Sequence, residues 1–385
     1  MAIPTSTIIP PKHVIESNLD TDVFIVGGGP AGLAAAIAAR EKGFQVMLAD
    51  GSAPPIEKSC GEGMMPETLS ALRKLGLDIE CSEGQVFHGI SFKQKNANVS
   101  ADFPQGTGIG LRRTLLHERL VRRAEECEVR LLWQCPVLGI DGGVVQLARG
   151  AVRSKWIIGA DGHGSRVRRW SGLEKSWRNQ QRHARRRHYR VKPWSNYAEV
   201  YWATHAQLYL TPIGCDEVCI VVLSEETNPA NFASALAEFP DLQSKLAGAE
   251  LASRERGAVT AMRSLRRVQR GNVALLGDAS GGVDAITGEG LRLAFAQAFA
   301  LADAMTAGDL RWYEQAHRKL MRRPMLMGEL MLWLGRNPGI RSRVICAMQN
   351  RPELFARMLA MHVGKGTPGE LLSTSARLGW KILAA

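Results

Sequence analysis

What this 385-residue chain lacks narrows its chemistry first. Its seven cysteines are an odd number without a CxxC pair, so no disulfide framework is expected and a reducing cytoplasm fits. No cluster of cysteine and histidine has zinc spacing, so no metal site is expected. No internal repeat is visible. Long hydrophobic runs are also missing: Met325 to Leu334 is too short and too interrupted to span a bilayer. The start, Met1-Ala2-Ile3-Pro4, has no charged stretch followed by an apolar core, so no signal peptide is expected. These absences lead to the expectation of a soluble, cytoplasmic protein, at most peripheral to a membrane. A hydrophobic content of 45% supports a substantial core.

Acids are scarce as well. Asp and Glu number 37 against 49 Lys and Arg, for a net charge of +12. The deficit is local, because no acid stands between Glu174 and Glu199, while Arg178 to Arg190 holds six arginines and two histidines. That run reads either as a solvated loop or as a dock for an anionic partner: the phosphates of NADPH, an acidic membrane surface or an acidic carrier protein. Nucleic acid is not expected, since no recognised binding module surrounds the run.

Glycine is what the chain has in patterned abundance. The first cluster is Gly27-Gly28-Gly29-Pro30-Ala31-Gly32. It lies between a β-branched run, Asp22 to Val26, and an alanine-rich stretch, Pro30 to Lys42, closed by Gly43. In that setting Gly27 serves a tight turn, Gly29 lets the backbone approach a pyrophosphate, and Gly32 lets the helix pack on the strand. An anion then sits on the helix N-terminus. A second strand, Gln45 to Asp50, ends on an acid 18 residues after Gly32. That carboxylate accepts ribose hydroxyls and repels a 2′-phosphate, so the expected ligand is FAD or NAD rather than NADP.

Two further clusters follow, Gly159-Ala160-Asp161-Gly162-His163-Gly164 and Gly277-Asp278, the latter trailed by Gly288-Glu289-Gly290-Leu291. Each follows an apolar strand, Trp156 to Ile158 and Asn272 to Leu276, and Gly290 to Ala307 reads as an apolar helix. In this order the three clusters resemble the fingerprints of FAD-dependent monooxygenases typified by p-hydroxybenzoate hydroxylase, and of their relatives the geranylgeranyl reductases. The resemblance implies FAD as cofactor, reduced by NADPH or NADH. It implies cofactor contacts from Gly27, Gly29, Pro30, Ala31, Gly32 and Asp50. Asp278 would hold ribityl or ribose hydroxyls, with Gly288, Gly290 and Leu291 at the flavin's pyrimidine edge, and Asp161 would touch both FAD and the nicotinamide. Arg113 matches the arginine that opens the Arg-x-x-Leu helix and reaches the FAD phosphates, with Arg112 as the alternative.

The fold class expected is α/β: a Rossmann-like FAD domain of the p-hydroxybenzoate hydroxylase type, an inserted mainly β substrate domain and a helical C-terminus. The FAD domain is assigned residues 1–85, 106–175 and 260–310, the substrate sheet 86–105 and 176–259, and the helical region 311–385. Pro324, Pro338 and Pro352 are taken as helix interruptions, and the stripe Met325, Leu326, Leu330 and Leu334 as core or interface packing, with a lipid-facing role as the alternative.

The subfamily is less fixed. Where aromatic hydroxylases carry a histidine and prolines after the third Gly-Asp, this chain has Ala279 to Gly290, ending Thr-Gly-Glu-Gly. That ending and the run Lys58-Ser59-Cys60-Gly61-Glu62-Gly63 resemble the geranylgeranyl reductase branch. The leading expectation is a monooxygenase acting on an aromatic or polyketide-like small hydrophobic molecule. The alternative is a reductase of isoprenoid or lipid double bonds, and a halogenase is a third. Tyr209, Trp202 and His205 are placed on a sheet facing the pocket, but no catalytic residue is assigned.

Overall fold

A computed structural model describes residues 19–95, 97–148, 150–225 and 231–364. Its first sheet is the Rossmann-like one. The strand Leu19–Val26 pairs in parallel with Val46–Ala49 on one side and Gly150–Gly159 on the other. Arg130–Leu132 and Val273–Leu275 extend the parallel sheet outward from these two. Side chains alternate along the central strand: Val23 and Ile25 face one cluster, Phe24 and Val26 the other. The first cluster is covered by the helices Pro30–Glu41, Arg113–Glu126 and Gly290–Thr306, the second by the hairpin Val137–Asp141 and Val144–Leu147. Both faces of the sheet are thereby buried, as parallel strands of unbroken apolar sequence require.

The second sheet runs Gly281–Gly282, Arg256–Leu265, Ser176–Arg190, Glu217–Glu225, Ala206–Gly214, Tyr197–Trp202, Gly89–Gln94 and Ala97–Asp102, with Glu250–Leu251 beside Ser176–Arg190. Its pairs are antiparallel except where Tyr197–Trp202 meets Gly89–Gln94. This is the inserted β domain, but its edges differ from those read in the sequence. The strand Arg256–Leu265 runs through the expected boundary at 259, because it pairs with Ser176–Arg190 along its whole length. Gly281–Gly282 also joins this sheet from within the expected FAD segment. A third small sheet, Gly63–Met64, Gly108–Gly110 and Gln85–Phe87, lies between the expected segments and takes the start of 86–105.

The chain then becomes helical: Leu310–Arg336, Pro338–Asn350 and Pro352–His362. Pro338 and Pro352 begin helices at the first position, where a missing N–H costs nothing, and only Pro324 lies inside one. Met331, Leu334, Val344, Ile345 and Phe355 pack against Phe92 and Trp202 of the second sheet. The stripe read as packing therefore splits, since Leu334 is buried whereas Leu326 and Leu330 are exposed. Residues 365–385 of the helical assignment, and the first 18 of the chain, lie outside the described residues. Among those described, no helix is long and apolar enough to cross a membrane.

Candidate cofactor and substrate site

The glycine turn sits at the C-terminal end of Leu19–Val26 and feeds the helix Pro30–Glu41. Gly27 has φ +113°, and a Cβ there would strike the Ala160 carbonyl; one on Gly32 would strike the carbonyl of Gly27. Those two glycines let the turn close. Gly29 has nothing within 4 Å of where its Cβ would stand, so open space lies in front of the helix N-terminus. Pro30 takes the first helical position, and Ala31 stays small because Gly277 approaches it closely. Asp50 ends the neighbouring strand and accepts the Gly28 amide at 2.7 Å and the Ser52 amide at 2.7 Å. Its carboxylate is thus anchored at the turn, where a ribose would lie.

The structure separates Arg112 from Arg113. Arg112 is tied to Glu217 and to His188 Nδ1, on the second sheet. Arg113 opens the Arg113–Glu126 helix, is 6% exposed, and its Nη1 has no partner. A buried guanidinium nitrogen without an acceptor is costly, and a phosphate oxygen is the acceptor that suits it. Lys58 and Asp278 pair at 2.8 Å close by, with half of each side chain open. The Lys58 charge holds the Asp278 carboxyl below its usual range, and Asp278 in turn raises Lys58.

Gly288, in the left-handed region at φ +66°, turns the chain into Gly290–Thr306; Gly290 again has nothing within 4 Å of its Cβ position. Leu291 packs on the flavin-domain core. Glu289 is buried at this helix start, and Arg292 answers its charge at 2.7 Å. Two open glycine fronts on helix N-termini, an orphaned buried guanidinium and two flanking acids fit FAD: pyrophosphate at Gly29 and Arg113, ribose at Asp50, flavin toward Asp278 and Gly290. Asp161 is tied into the turn after its strand: its carboxylate accepts Ser165 Oγ and the amides of Arg166 and Val167 at the start of the Arg166–Trp170 helix, whose N-cap is Ser165.

At the second sheet, the run Lys58 to Gly63 folds against Ala206–Gly214. A Cβ on Gly61 would collide with the Tyr209 ring. Tyr209 also packs among Ile213, Cys219, Val221 and Ile286, and burial pushes its phenol well above the usual range. Burial likewise raises the thiols of Cys60 and Cys219. Of the other sheet residues named from sequence, Trp202 is buried against Phe92 in a cluster that Tyr209 also touches, and His205 is exposed in a bend.

The basic run is not a loop. It is the strand Ser176–Arg190, and four of its arginines meet acids brought from elsewhere. Arg182 pairs with Asp284, Arg185 and Arg187 with Glu255, and Arg186 with Glu57 and Glu62. Glu62 is the hub, accepting Arg186 Nη1, His188 Nε2 and the Arg113 amide. Burial opposes its charge, yet His188 and Arg186 hold the carboxyl below its usual range. Glu62, His188 and Cys219 place metal-type ligand atoms within 4.8 Å of one another. Guanidinium already fills the cation's place there, and the cysteine keeps its proton, so the cluster is an ion-pair hub. Sequence reading passed over Lys58 and Glu62 as sites, although the run that carries them was in view.

The comparisons agree with this geometry. The FAD binding domain family matches residues 20–311. The chain is 26% identical over 343 residues to menaquinone reductase of Mycolicibacterium smegmatis, spanning 79% of this chain and 81% of the relative. It is 30% identical over 168 residues to digeranylgeranylglycerophospholipid reductase of Methanosarcina acetivorans, a match that spans 40% of this chain and 41% of the relative's length. A flavoprotein/dehydrogenase from Cytophaga hutchinsonii superposes with a TM-score of 0.78 at 18% identity, covering 89% of this chain and 92% of that one. With open space in front of two glycine-led helix N-termini and three quarters of its length matched, the chain belongs to the FAD binding domain family of p-hydroxybenzoate hydroxylase-like oxidoreductases.

Proposed function

We propose that the protein is an FAD-dependent reductase of carbon–carbon double bonds in an isoprenoid or quinone-like hydrophobic molecule, with NADH or NADPH as the electron source. The observation that carries this is the Lys58 to Gly63 run closing on Tyr209, which brings two side chains that burial keeps protonated, Cys60 and Tyr209, together next to the Lys58–Asp278 pair. The reading is supported by two relatives named as reductases. Bound FAD supplies a hydride. Saturating a double bond needs one proton besides, and Tyr209 Oη and Cys60 Sγ both keep theirs at neutral pH because burial disfavours their anions. Ile213 and Val221, both buried, pack with Tyr209 and Ile286 and keep water from the phenol.

The test is anaerobic reduction of the purified holoprotein by NADH or NADPH, followed by a polyisoprenoid quinone or a geranylgeranyl lipid without oxygen. Flavin reoxidised by the alkene, with product two hydrogens heavier, supports the reading. Flavin that stays reduced until air enters, with product gaining one oxygen atom, replaces it by the monooxygenase.

A further inference from the structure

The helix Leu310–Arg336 carries large hydrophobic side chains on its outer side: Trp312 is 60% exposed, Leu326 59%, Leu330 40% and Trp333 47%. At 3.6 residues per turn these four and Lys319 fall within an arc of about 60°, and Arg322 widens it to about 80°. Lys319 and Arg322 are both exposed, and Glu329, just outside the arc, is itself partnered. The stripe is about 31 Å long, with a tryptophan at each end and the two cations near its middle.

This is not packing left unfinished. The opposite side of the same helix is closed, since Met331 and Leu334 enter the core and a Cβ on Gly328 would stand 3.6–3.8 Å from Met262, Thr287 and the Asp284 amide. A second copy is a poor occupant. Two-fold pairing would set the stripe antiparallel about its midpoint near Arg322, bringing Arg322 against its own copy and Lys319 against Leu326, so that neither cation meets an acid. Acidic headgroups meet those cations instead, while tryptophan and leucine enter the headgroup boundary. The chain's net charge of +12 adds attraction of the same sign.

We infer that this outer face docks the protein on an anionic lipid surface. The docked face lies about one helix diameter, ~10 Å, from the Asp284 to Thr287 turn that leads into the cofactor-side glycines. A lipid-borne substrate would therefore be delivered close to the pocket. The inference goes beyond the reductase reading, and it is tested without turnover so that the two fail separately.

The full-length holoprotein is sedimented with vesicles of phosphatidylcholine alone or mixed with phosphatidylglycerol. Two variants accompany it, Leu326→Ser with Leu330→Ser and Trp333→Ser, and Lys319→Ser with Arg322→Ser. These side chains are exposed, so FAD content and melting temperature should stay as in wild type. Binding to the mixed vesicles alone, weakened about tenfold or more in both variants and reduced by salt, supports docking. Equal binding by wild type and variants, or none by wild type, overturns it. A wild-type dimer that the apolar variant turns into a monomer, without vesicle binding, makes the face a contact between copies. Binding that appears only when residues 365–385 are removed makes that segment the occupant, and the inference fails in either case.

Discussion

Lys58 Nζ stands 2.8 Å from Asp278 Oδ2, joining two residues 220 positions apart across the cofactor cleft. Both side chains are half exposed, at 46% and 53%, so the pair itself adds at most about 1 kcal/mol to stability. Its interest lies in what the open half can hold. Asp278 keeps a lowered pKa, so its share of stability is present above its ordinary 3.8 and is lost as pH falls through the folded value. Lys58 is raised, so its share is present below 10.5 and lost only in stronger alkali.

Between those limits Lys58→Met should cost the apoprotein little and Asp278→Ala should cost it FAD. We expect Asp278→Ala to weaken FAD binding by about 1–3 kcal/mol, as a charged acceptor for hydroxyls is removed from a partly buried site. Fluorescence titration of the apoprotein checks it. Unchanged affinity in a folded Asp278→Ala protein would place the flavin elsewhere.

The glycines of the first turn should part into two kinds. Gly29→Ala meets open space, so the fold should hold while FAD affinity drops as the methyl group enters the pyrophosphate's place. Gly32→Ala drives Cβ into the Gly27 carbonyl, and the whole turn must shift. We expect Gly32→Ala to lose at least about 2 kcal/mol of stability without any cofactor present. Urea denaturation of both apoproteins decides it, and equal loss in the two variants would mean the turn is not built this way.

Glu62 offers a test of the ion-pair hub. Glu62→Ala leaves Arg186 and His188 buried without their shared acceptor, and we expect a loss of about 3–5 kcal/mol. Glu62→Gln keeps the shape and should lose less. The lowered carboxyl means this stabilisation is complete above about pH 4.5 and disappears as pH falls through the folded value. A Glu62→Ala protein within about 1 kcal/mol of wild type would show that the hub carries little.

Much of the flavin domain was legible because its signals are local. Gly27, Gly29 and Gly32, flanked by Val26 and Ala35, announce a strand, a turn and a helix within a dozen residues. The acid-free run from 175 to 198 misled for the opposite reason. Its partners Glu57, Glu62, Glu255 and Asp284 arrive from 68 to 129 positions away, and only the fold brings them to Arg182, Arg186 and Arg187.

His317 gives the last expectation, on pH. Its Nε2 lies 2.9 Å from Ser280 Oγ, and that hydroxyl donates to the Gly277 carbonyl, so the imidazole donates to the serine and props the turn that carries Asp278. Burial lowers the His317 pKa from 6.5 to about 4, and the folded protein keeps the ring neutral where the unfolded chain protonates it. More protons on the unfolded chain mean stability falls as pH drops from about 6.5 toward 4. The shift corresponds to about 3 kcal/mol or slightly more over that window. His117, His163 and His362 are lowered by burial too, so the decisive quantity is the difference between wild type and His317→Gln rather than the slope itself. We expect His317→Gln to unfold at a lower denaturant concentration at pH 7.5, where the neutral histidine is lost, and to close that gap by pH 4.5. Parallel stability curves for the two proteins across this range would show that His317 is not held neutral beneath the turn.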